Sequence, residues 1–378
     1  MIPVTATDLI SYFGITLSVF LSILVLQKGK KTFADWLLFA WFIVVGLHCV
    51  YFYLSFHHLY DHQVFVQAVG NSLPVVHVAI IFLYTKSLIT GHLSFRVLVL
   101  HLVPFLSYTL IYAVLFGDKM ISSSGFSIQF YNHSPSWAYG LPPLLIFVNA
   151  FYIMLLFDNL KKHQRLLESQ YSNELHLTLN WIRYWVYSFV ISAVLIILVI
   201  LASDLKRIPI EMSFFVTGVS MCAQLFIVGQ YGLKQSIILT AQKIDSNDEE
   251  KTIDTKYAKS GLQKEKLQQL IVELTELMKR EKPYLDSDLT LPKLAEKLDL
   301  PTYQLSQVIN EGFNLNFFDY VNTYRVEEYK KRLVDEKHAH LSLLGLAIDC
   351  GFKSKSSFNK TFKRLIRMTP SAYKKSLK

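Results

Sequence analysis

Long apolar stretches dominate the first 233 residues of the chain. Seven of them reach about 20 residues, the length that an α-helix needs to cross roughly 30 Å of hydrocarbon. They lie near residues 7–27, 36–56, 65–85, 96–116, 138–158, 182–203 and 209–231. The first is too long for the apolar core of a signal peptide and is followed by lysines rather than by a small-residue cleavage site. The pattern predicts a seven-helix transmembrane domain, acting as a sensor or an anchor, over residues 1–233.

Positive charge is unequal in the loops on the two sides of these predicted spans. One set of alternate loops holds nine basic residues: Lys28, Lys30, Lys31, Lys86, Arg96, Lys161, Lys162, Arg165 and Arg183. The other set holds three, which are Lys119, Lys206 and Arg207. Because basic loops stay on the cytoplasmic side, the N-terminus is predicted to lie outside and the chain after Tyr231 in the cytoplasm.

Several polar residues fall inside the predicted spans, and five of them have two interpretations. They are Asn71, His77, His101, Asn149 and Glu211. Polar groups inside a membrane are candidates for contact with a ligand. They also commonly form hydrogen bonds between helices, which would give them a structural role.

A histidine pair in an outer loop raises the question of a metal site. His58 and His62 lie one helical turn apart with Asp61 between them, and this arrangement could hold Zn²⁺. Histidine and tyrosine at the membrane interface explain the same residues without a metal. No cofactor or metal is therefore expected.

A polar segment follows the last apolar stretch. Residues 245–254 are charged and have no periodicity, which predicts a cytoplasmic linker within 234–262. The next helix is predicted from Gln263 to Arg280, with one apolar face formed by Leu267, Leu270, Ile271, Leu274, Leu277 and Met278. That face could be a dimer seam, but it more commonly packs on the core of its own domain.

Residues 290–311 have the pattern of a helix-turn-helix unit. A short helix places Leu291, Leu294, Ala295 and Leu298 inward, a turn follows near Leu300-Pro301, and a second helix places Leu305, Val308 and Ile309 inward. The same arrangement occurs again within 342–366. In the first helix, Leu346-Ala347 corresponds to Leu294-Ala295 at an offset of 52 residues. In the second helix, Phe358 and Phe362 correspond to Leu305 and Ile309 at an offset of 53. The added residue lies in the turn, where an insertion costs least.

The outward faces of the two second helices correspond as well. The outward face of the first helix carries Thr302, Tyr303, Ser306, Gln307 and Asn310. The outward face of the second carries Lys355, Ser356, Asn359, Lys360 and Lys363, with Arg364 at the flank. A recognition helix buries one stripe and presents amides, hydroxyls and cations to base edges and phosphates. These eleven residues are the predicted DNA-binding set.

Capping residues and a connecting helix complete the predicted domain at 263–378. Thr290 and Ser354 can cap helices, and Thr369-Pro370 can open a last short helix. Residues 316–334 contain no glycine or proline and predict a single helix about 28 Å long at 1.5 Å per residue. A helix of this length could set two recognition helices near one turn of DNA, about 34 Å, apart.

Composition places the basic character at the C-terminal end. The net charge is +9, and residues 339–378 hold nine Lys or Arg against the single Asp349. Such an excess suits a polyanion, either nucleic acid or an anionic lipid surface. Cys49, Cys222 and Cys350 form no disulfide framework or CxxC site.

Residues 256–378 resemble the AraC-type (AraC/XylS) transcription regulators. The likeness is carried by "LPKLAEKLDLPTYQLSQVINE", "FFDYVNTYRVEEYKKRL" and "LAIDCGFKSKSSFNKTFKRLIRMTPSAYKK". The chain departs from such sequences at Arg367, where they usually carry glycine. The seven-span region resembles the membrane-anchored variants of this family in bacteria, without motifs of comparable specificity.

The sequence therefore predicts an all-α protein with a seven-helix transmembrane bundle and a cytoplasmic domain containing two helix-turn-helix units. The predicted function is sequence-specific transcription regulation from the bacterial inner membrane, and no motif of an enzyme is present. DNA and the lipid bilayer are the expected partners, with a second copy of the chain and a small-molecule or peptide signal left open. The alternatives are a membrane receptor or transporter whose basic tail binds lipid or protein, and a membrane enzyme with polar groups converging in the bundle.

Overall fold

The computed structural model is all-α over the residues that it describes. These are residues 5–57, 59, 63–91, 93–116, 141–173, 179–205, 207–209, 211–246 and 264–377. The chain divides into two compact units. Unit 1 comprises Met1–Lys161 and Leu179–Ser246, and unit 2 comprises Lys162–Thr178 and Asn247–Lys378.

Among the residues that the structure describes, seven long helices begin in unit 1, as the apolar pattern predicts. They are α1 (Ala6–Leu26), α2 (Phe33–Phe56), α3 (Val64–Thr90), α4 (Phe95–Phe116), α5 (Leu141–Gln170), α6 (Asn180–Asp204) and α7 (Glu211–Ser246). All seven contain segments long and apolar enough to cross a membrane by length and composition. The 36 residues of α7 would extend about 54 Å at 1.5 Å per residue, so this helix is longer than a bilayer crossing requires.

Capping residues and aromatic packing organise unit 1. Thr5 and Thr32 each begin a helix with a reciprocal capping box, completed by Asp8 and Asp35. Helix α1 packs against α2 and α7, and α2 also packs against α3. At the centre, Trp41 and Trp185 are fully buried, and their rings meet edge to face with centroids 6.3 Å apart.

The polar residues predicted inside the spans mostly join neighbouring helices. The Asn71 amide donates to the Tyr112 hydroxyl over 2.9 Å, and ring nitrogens of His48 and His77 lie 2.7 Å apart. A ring nitrogen of His101 lies 3.0 Å from the Tyr152 hydroxyl. These contacts are of the kind that hydrogen-bond helices together within a bundle.

Several helices of unit 1 expose apolar side chains along their length. Large apolar residues of α4 and α6, including Leu110, Val114 and Leu198, are more than half exposed. Exposed apolar side chains in this number are typical of contact with lipid or with a partner.

Seven further helices occur among the described residues of unit 2. They are α8 (Lys264–Arg280), α9 (Leu291–Glu296), α10 (Thr302–Phe313), α11 (Phe317–Val334), α12 (Leu343–Asp349), α13 (Lys355–Ile366) and α14 (Pro370–Ser376). The turn Pro283–Leu285 and the turn Glu336–His338 are single 3₁₀ turns. The described residues form no strand, and Tyr171 and Thr290 make one isolated antiparallel bridge.

Helix α11 is shared by two hydrophobic clusters of unit 2. The first cluster joins α8, α9 and α10 to Tyr320 and Val321, and the second joins α12 and α13 to Val326 and Tyr329. Each cluster is thus the core of one helix-turn-helix unit, and α11 connects them. The buried face of α8, including Leu274, packs in the first cluster, as expected for a helix that covers its own domain.

Some sequence predictions lie outside the described residues. His58, Asp61 and His62 are among them, as is the linker after Ser246, and the side chain of Glu211 is not described. Groups of three or more His, Cys, Asp or Glu able to hold a metal ion were not found in the part of the chain that the structure describes.

Candidate nucleic-acid interface

The first helix-turn-helix unit is built from α9 and α10. The Thr290 side chain accepts from the Lys293 amide and begins α9, and Pro292 follows in its first turn. Asp299 takes a positive φ of 52° in the turn, which redirects the chain into α10. Leu305, Val308 and Ile309 then anchor one side of α10 in the core, so its opposite side faces outward.

The second unit repeats this geometry in α12 and α13. Ser342 and Ser354 begin the two helices, each accepting from the amide three residues later. Gly351, 52 residues after Asp299, has a φ of 93°. A Cβ at this position would lie 2.4 Å from the Tyr284 carbonyl oxygen, so the Gly-Phe motif reflects both backbone conformation and close approach.

The repeat extends through the whole of each second helix. Helices α10 and α13 both have 12 residues, and each ends on a left-handed residue. These residues are Asn314 with a φ of 53° and Arg367 with a φ of 63°, again separated by 53 positions. The buried trio of α10 has its counterpart in Phe358, Thr361 and Phe362.

The predicted contact residues of α10 form a neutral, hydrogen-bonding face. Tyr303 and Asn310 are exposed, whereas Thr302, Ser306 and Gln307 are partly exposed. The Gln307 amide donates to a Glu311 carboxylate oxygen over 2.9 Å, and the Asn310 amide donates to the Ser306 hydroxyl over 3.4 Å. These are short-range contacts along the helix surface, which a base edge could replace.

The predicted contact residues of α13 form a more exposed and cationic face. Lys355, Ser356, Asn359, Lys360, Lys363 and Arg364 are all exposed. Within the described residues, none of the three lysines has an ion-pair partner. Their charge is therefore available to an external anion.

Arg364 differs from these lysines because it already has partners in unit 2. Its guanidinium pairs with the Asp319 carboxylate and lies over the Phe318 ring, 5.4 Å from the centroid. This arrangement ties α13 to the first turn of α11. Contact with a phosphate would require Arg364 to share or leave Asp319.

Lys353 makes a second ion pair between the two helix-turn-helix units. It precedes α13 and pairs with Asp288, which lies just before α9. The hydrogen bond from Lys353 lowers the pKa of Asp288, against an opposing effect of burial. This pair fixes the loop before α9 against the turn before α13.

Arg325 is a positioning residue that sequence reasoning missed. It is fully buried at the middle of α11, and its guanidinium donates to the Tyr284 and Asp286 carbonyl oxygens over 2.7 and 2.8 Å. Burial lowers the pKa of Arg325 to about 10, so it remains charged near neutral pH. The sequence contains an indication that Arg325 is buried, because it follows Phe317 and Val321 at four-residue spacing along the buried stripe of α11.

Residues 294–376 match a protein family described as a helix-turn-helix domain. The C-terminal part of the chain therefore carries a helix-turn-helix domain of the AraC type. An uncharacterized HTH-type transcriptional regulator of Staphylococcus aureus strain COL is 31% identical over 87 residues, which are 23% of this chain and 11% of the relative. Its counterpart in strain MSSA476 is similar to the same extent. No solved structure matches the chain at comparable significance.

The relatives extend the comparison to the helix-turn-helix domain and no further. The chain spans about a tenth of the length of the curated relatives that it matches. The seven apolar helices lie outside the residues matched by the family. The domain match thus bears on α9 to α14, and the role of unit 1 requires separate arguments.

The left-handed residue at the end of α13 gives a test of the repeat. Arg367→Gly should raise the free energy of unfolding of unit 2 by about 1 kcal/mol, because a residue with a Cβ is strained in this conformation. Asn314→Gly is the matched control and should change it by only a few tenths, since asparagine tolerates the left-handed region. Urea unfolding of the full chain in nanodiscs, followed by pulse proteolysis, measures both. A loss of stability for Arg367→Gly would contradict the expectation.

Proposed function

We propose that the chain is a sequence-specific DNA-binding transcription regulator anchored in a bacterial inner membrane. The observation that carries the proposal is the repeat of two outward helix faces on one connecting helix. Each face presents residues suited to base edges or phosphates, and each is fixed by a buried stripe on the opposite side. The printed names of the relatives, HTH-type transcriptional regulators, support the same class of function.

The eleven predicted contact residues divide into two sets in this proposal. Helix α10 supplies neutral groups for base contacts and for hydrogen bonds to phosphate. Helix α13 supplies most of the attraction for phosphate through Lys355, Lys360 and Lys363. The proposed function requires no enzymatic step.

Membrane anchoring is supported by the seven apolar helices and their exposed apolar side chains. We place the N-terminus outside and unit 2 in the cytoplasm, on the basis of the excess of Lys and Arg in alternate loops. A membrane signal would act through its differential affinity for two arrangements of the spans. A receptor or transporter with a lipid-binding basic tail is the competing function.

Selection of DNA by the full chain tests this function. The chain would be placed in nanodiscs of zwitterionic lipid, so that anionic lipid does not compete, and random duplexes would be selected for binding. We expect an enriched sequence bound at least about 10³-fold more tightly than a scrambled duplex at the same salt concentration. Equal affinity for both duplexes, with strong binding to anionic vesicles, would support the lipid-binding alternative instead.

A further inference from the structure

A short segment from the loop between α5 and α6 is part of unit 2. The residues Tyr171–Asn173, named here the clasp segment, directly follow α5 and belong to the same compact unit as α8 to α14. The chain therefore passes from one unit to the other three times, after Lys161, after Thr178 and after Ser246. Only the last of these passages is the linker that the sequence predicts.

Ser172 occupies the centre of the clasp segment and is completely buried. Its hydroxyl donates to the Leu289 carbonyl oxygen over 2.7 Å and accepts from the Arg325 guanidinium over 3.0 Å. Its carbonyl oxygen accepts from Arg325 over 3.0 Å and from the Asn322 amide over 3.1 Å. A buried serine with all these bonds occupies a built site rather than a chance surface contact.

Asn173 extends the clasp segment to both helix-turn-helix units. Its side-chain amide donates to the Ser287 carbonyl oxygen over 2.7 Å and to the Gly351 carbonyl oxygen over 3.1 Å. Ser287 lies just before the first unit, and Gly351 lies in the turn of the second. One side chain thus joins the segments that set the direction of α9 and of α13.

We propose that unit 2 contains a docking site for the clasp segment, and that docking fixes the two helix-turn-helix units in the arrangement that binds DNA. The site consists of Arg325 and Asn322 on α11 together with the carbonyl groups of Ser287, Leu289 and Gly351. Because the clasp segment is joined to α5 at one end and continues toward α6, a movement of these helices can withdraw it. The regulatory part of this inference rests on the proposed DNA-binding function.

Disulfide trapping tests the docking without any reference to DNA. Tyr171 and Thr290 form an antiparallel bridge, and paired residues in such a bridge have Cβ atoms about 4.5–5.5 Å apart. Tyr171→Cys with Thr290→Cys should cross-link within one chain on mild oxidation in native membranes. Each single variant detects stray pairing with a native cysteine. Tyr171→Cys with Lys375→Cys is the control pair, because the exposed Lys375 is not the bridge partner of Tyr171. Absence of the cross-link in the first pair would overturn the proposal.

An isosteric substitution tests the effect of docking on DNA. Asn173→Asp replaces two donors by a carboxylate oxygen that faces the Ser287 and Gly351 carbonyl oxygens. It should expose the clasp segment to hydrogen exchange and weaken binding to the selected duplex by about tenfold, within the usual range of coupling between sites. Asn180→Asp is the matched control, since it makes the same change at an exposed residue that begins α6. It should alter neither the hydrogen exchange of the clasp segment nor the affinity for the selected duplex.

The two tests separate failure of the docking from failure of the DNA-binding function. A cross-link in a chain that binds no selected sequence would reject the proposed function and support the docking site. Specific DNA binding without a cross-link would reject the docking site alone. Unchanged or higher DNA affinity in Asn173→Asp would overturn the role of the clasp segment in fixing the two units.

Discussion

Arg325→Met should lower the free energy of unfolding of unit 2 by about 3–5 kcal/mol, because it removes several hydrogen bonds from a buried charged donor, each worth about 1.5–3 kcal/mol. The guanidinium supplies donors to the buried Tyr284 and Ser172 carbonyl oxygens and to the partly buried Asp286 carbonyl oxygen. Methionine fills a similar volume but leaves these acceptors without that donor. Each buried group left without a partner costs about 1–3 kcal/mol, so even partial rehydration leaves a large loss.

Arg332→Met is the matched control for this prediction. Arg332 lies on the same helix and bonds a Glu328 carboxylate oxygen over 2.9 Å, but its side chain is 19% exposed. We expect a loss of about 1–2 kcal/mol, because the Glu328 carboxylate keeps the Lys282 ammonium and the Tyr284 hydroxyl as partners when Arg332 is removed. Urea midpoints from pulse proteolysis of the full chain in nanodiscs compare the two. Equal losses for both variants would mean that Arg325 has no special role in joining the segments of unit 2.

Local patterns were sufficient to predict the helices and much of the candidate interface. Periodic apolar residues define α8, α10 and α13, because a helix in a small domain must bury one stripe. Helix α11 was predicted instead from a run without glycine or proline. The caps at Thr290, Ser354 and Thr369 follow from side chains that accept from the third amide, and all three occur as predicted. The sequence could therefore predict which side of each recognition helix faces outward.

The contacts that join distant segments could not be predicted in the same way. Ser172 and Arg325 are 153 positions apart, and the letters Tyr-Ser-Asn after α5 have no periodicity and no unusual composition. The role of these residues depends on backbone carbonyl groups at turns. Every residue has a backbone carbonyl group, so no sequence pattern shows which ones accept these bonds. Only the position of Arg325 on an apolar stripe indicated that α11 contains a buried polar connection.

The pairing of Arg364 changes the expected electrostatic contribution of the second recognition helix. Its charge is already compensated by Asp319, so binding to phosphate would release a protein partner as well as counterions. Lys355, Lys360 and Lys363 have no such partner among the described residues. We therefore expect these lysines, rather than Arg364, to determine most of the dependence of DNA affinity on salt concentration.

The two recognition helices should respond differently to substitution. Lys363→Ala should weaken binding to all duplexes and reduce the slope of log affinity against log salt by about one unit, because one phosphate contact is lost. Gln307→Ala or Asn359→Ala should instead reduce discrimination at one base pair by about 1–3 kcal/mol, with the salt slope unchanged. Lys337→Ala is the matched control, because it removes one positive charge at an exposed position in the turn after α11. Its salt slope should equal that of the unsubstituted chain within experimental error.

Salt titrations of the full chain on the selected duplex and on single-base variants of that duplex measure these effects together. The predicted contact residues of α10 carry no charge, so they can discriminate bases but release few counterions, whereas the cationic face of α13 contributes to both. The division follows from the charge placed on two helices that agree in length, in the left-handed residue at the C-terminal end and in the positions of the buried stripe. If Gln307→Ala lowered the affinity for every duplex equally and changed the salt slope as Lys363→Ala does, α10 would be a phosphate-binding helix and the assignment of base contacts to it would be wrong.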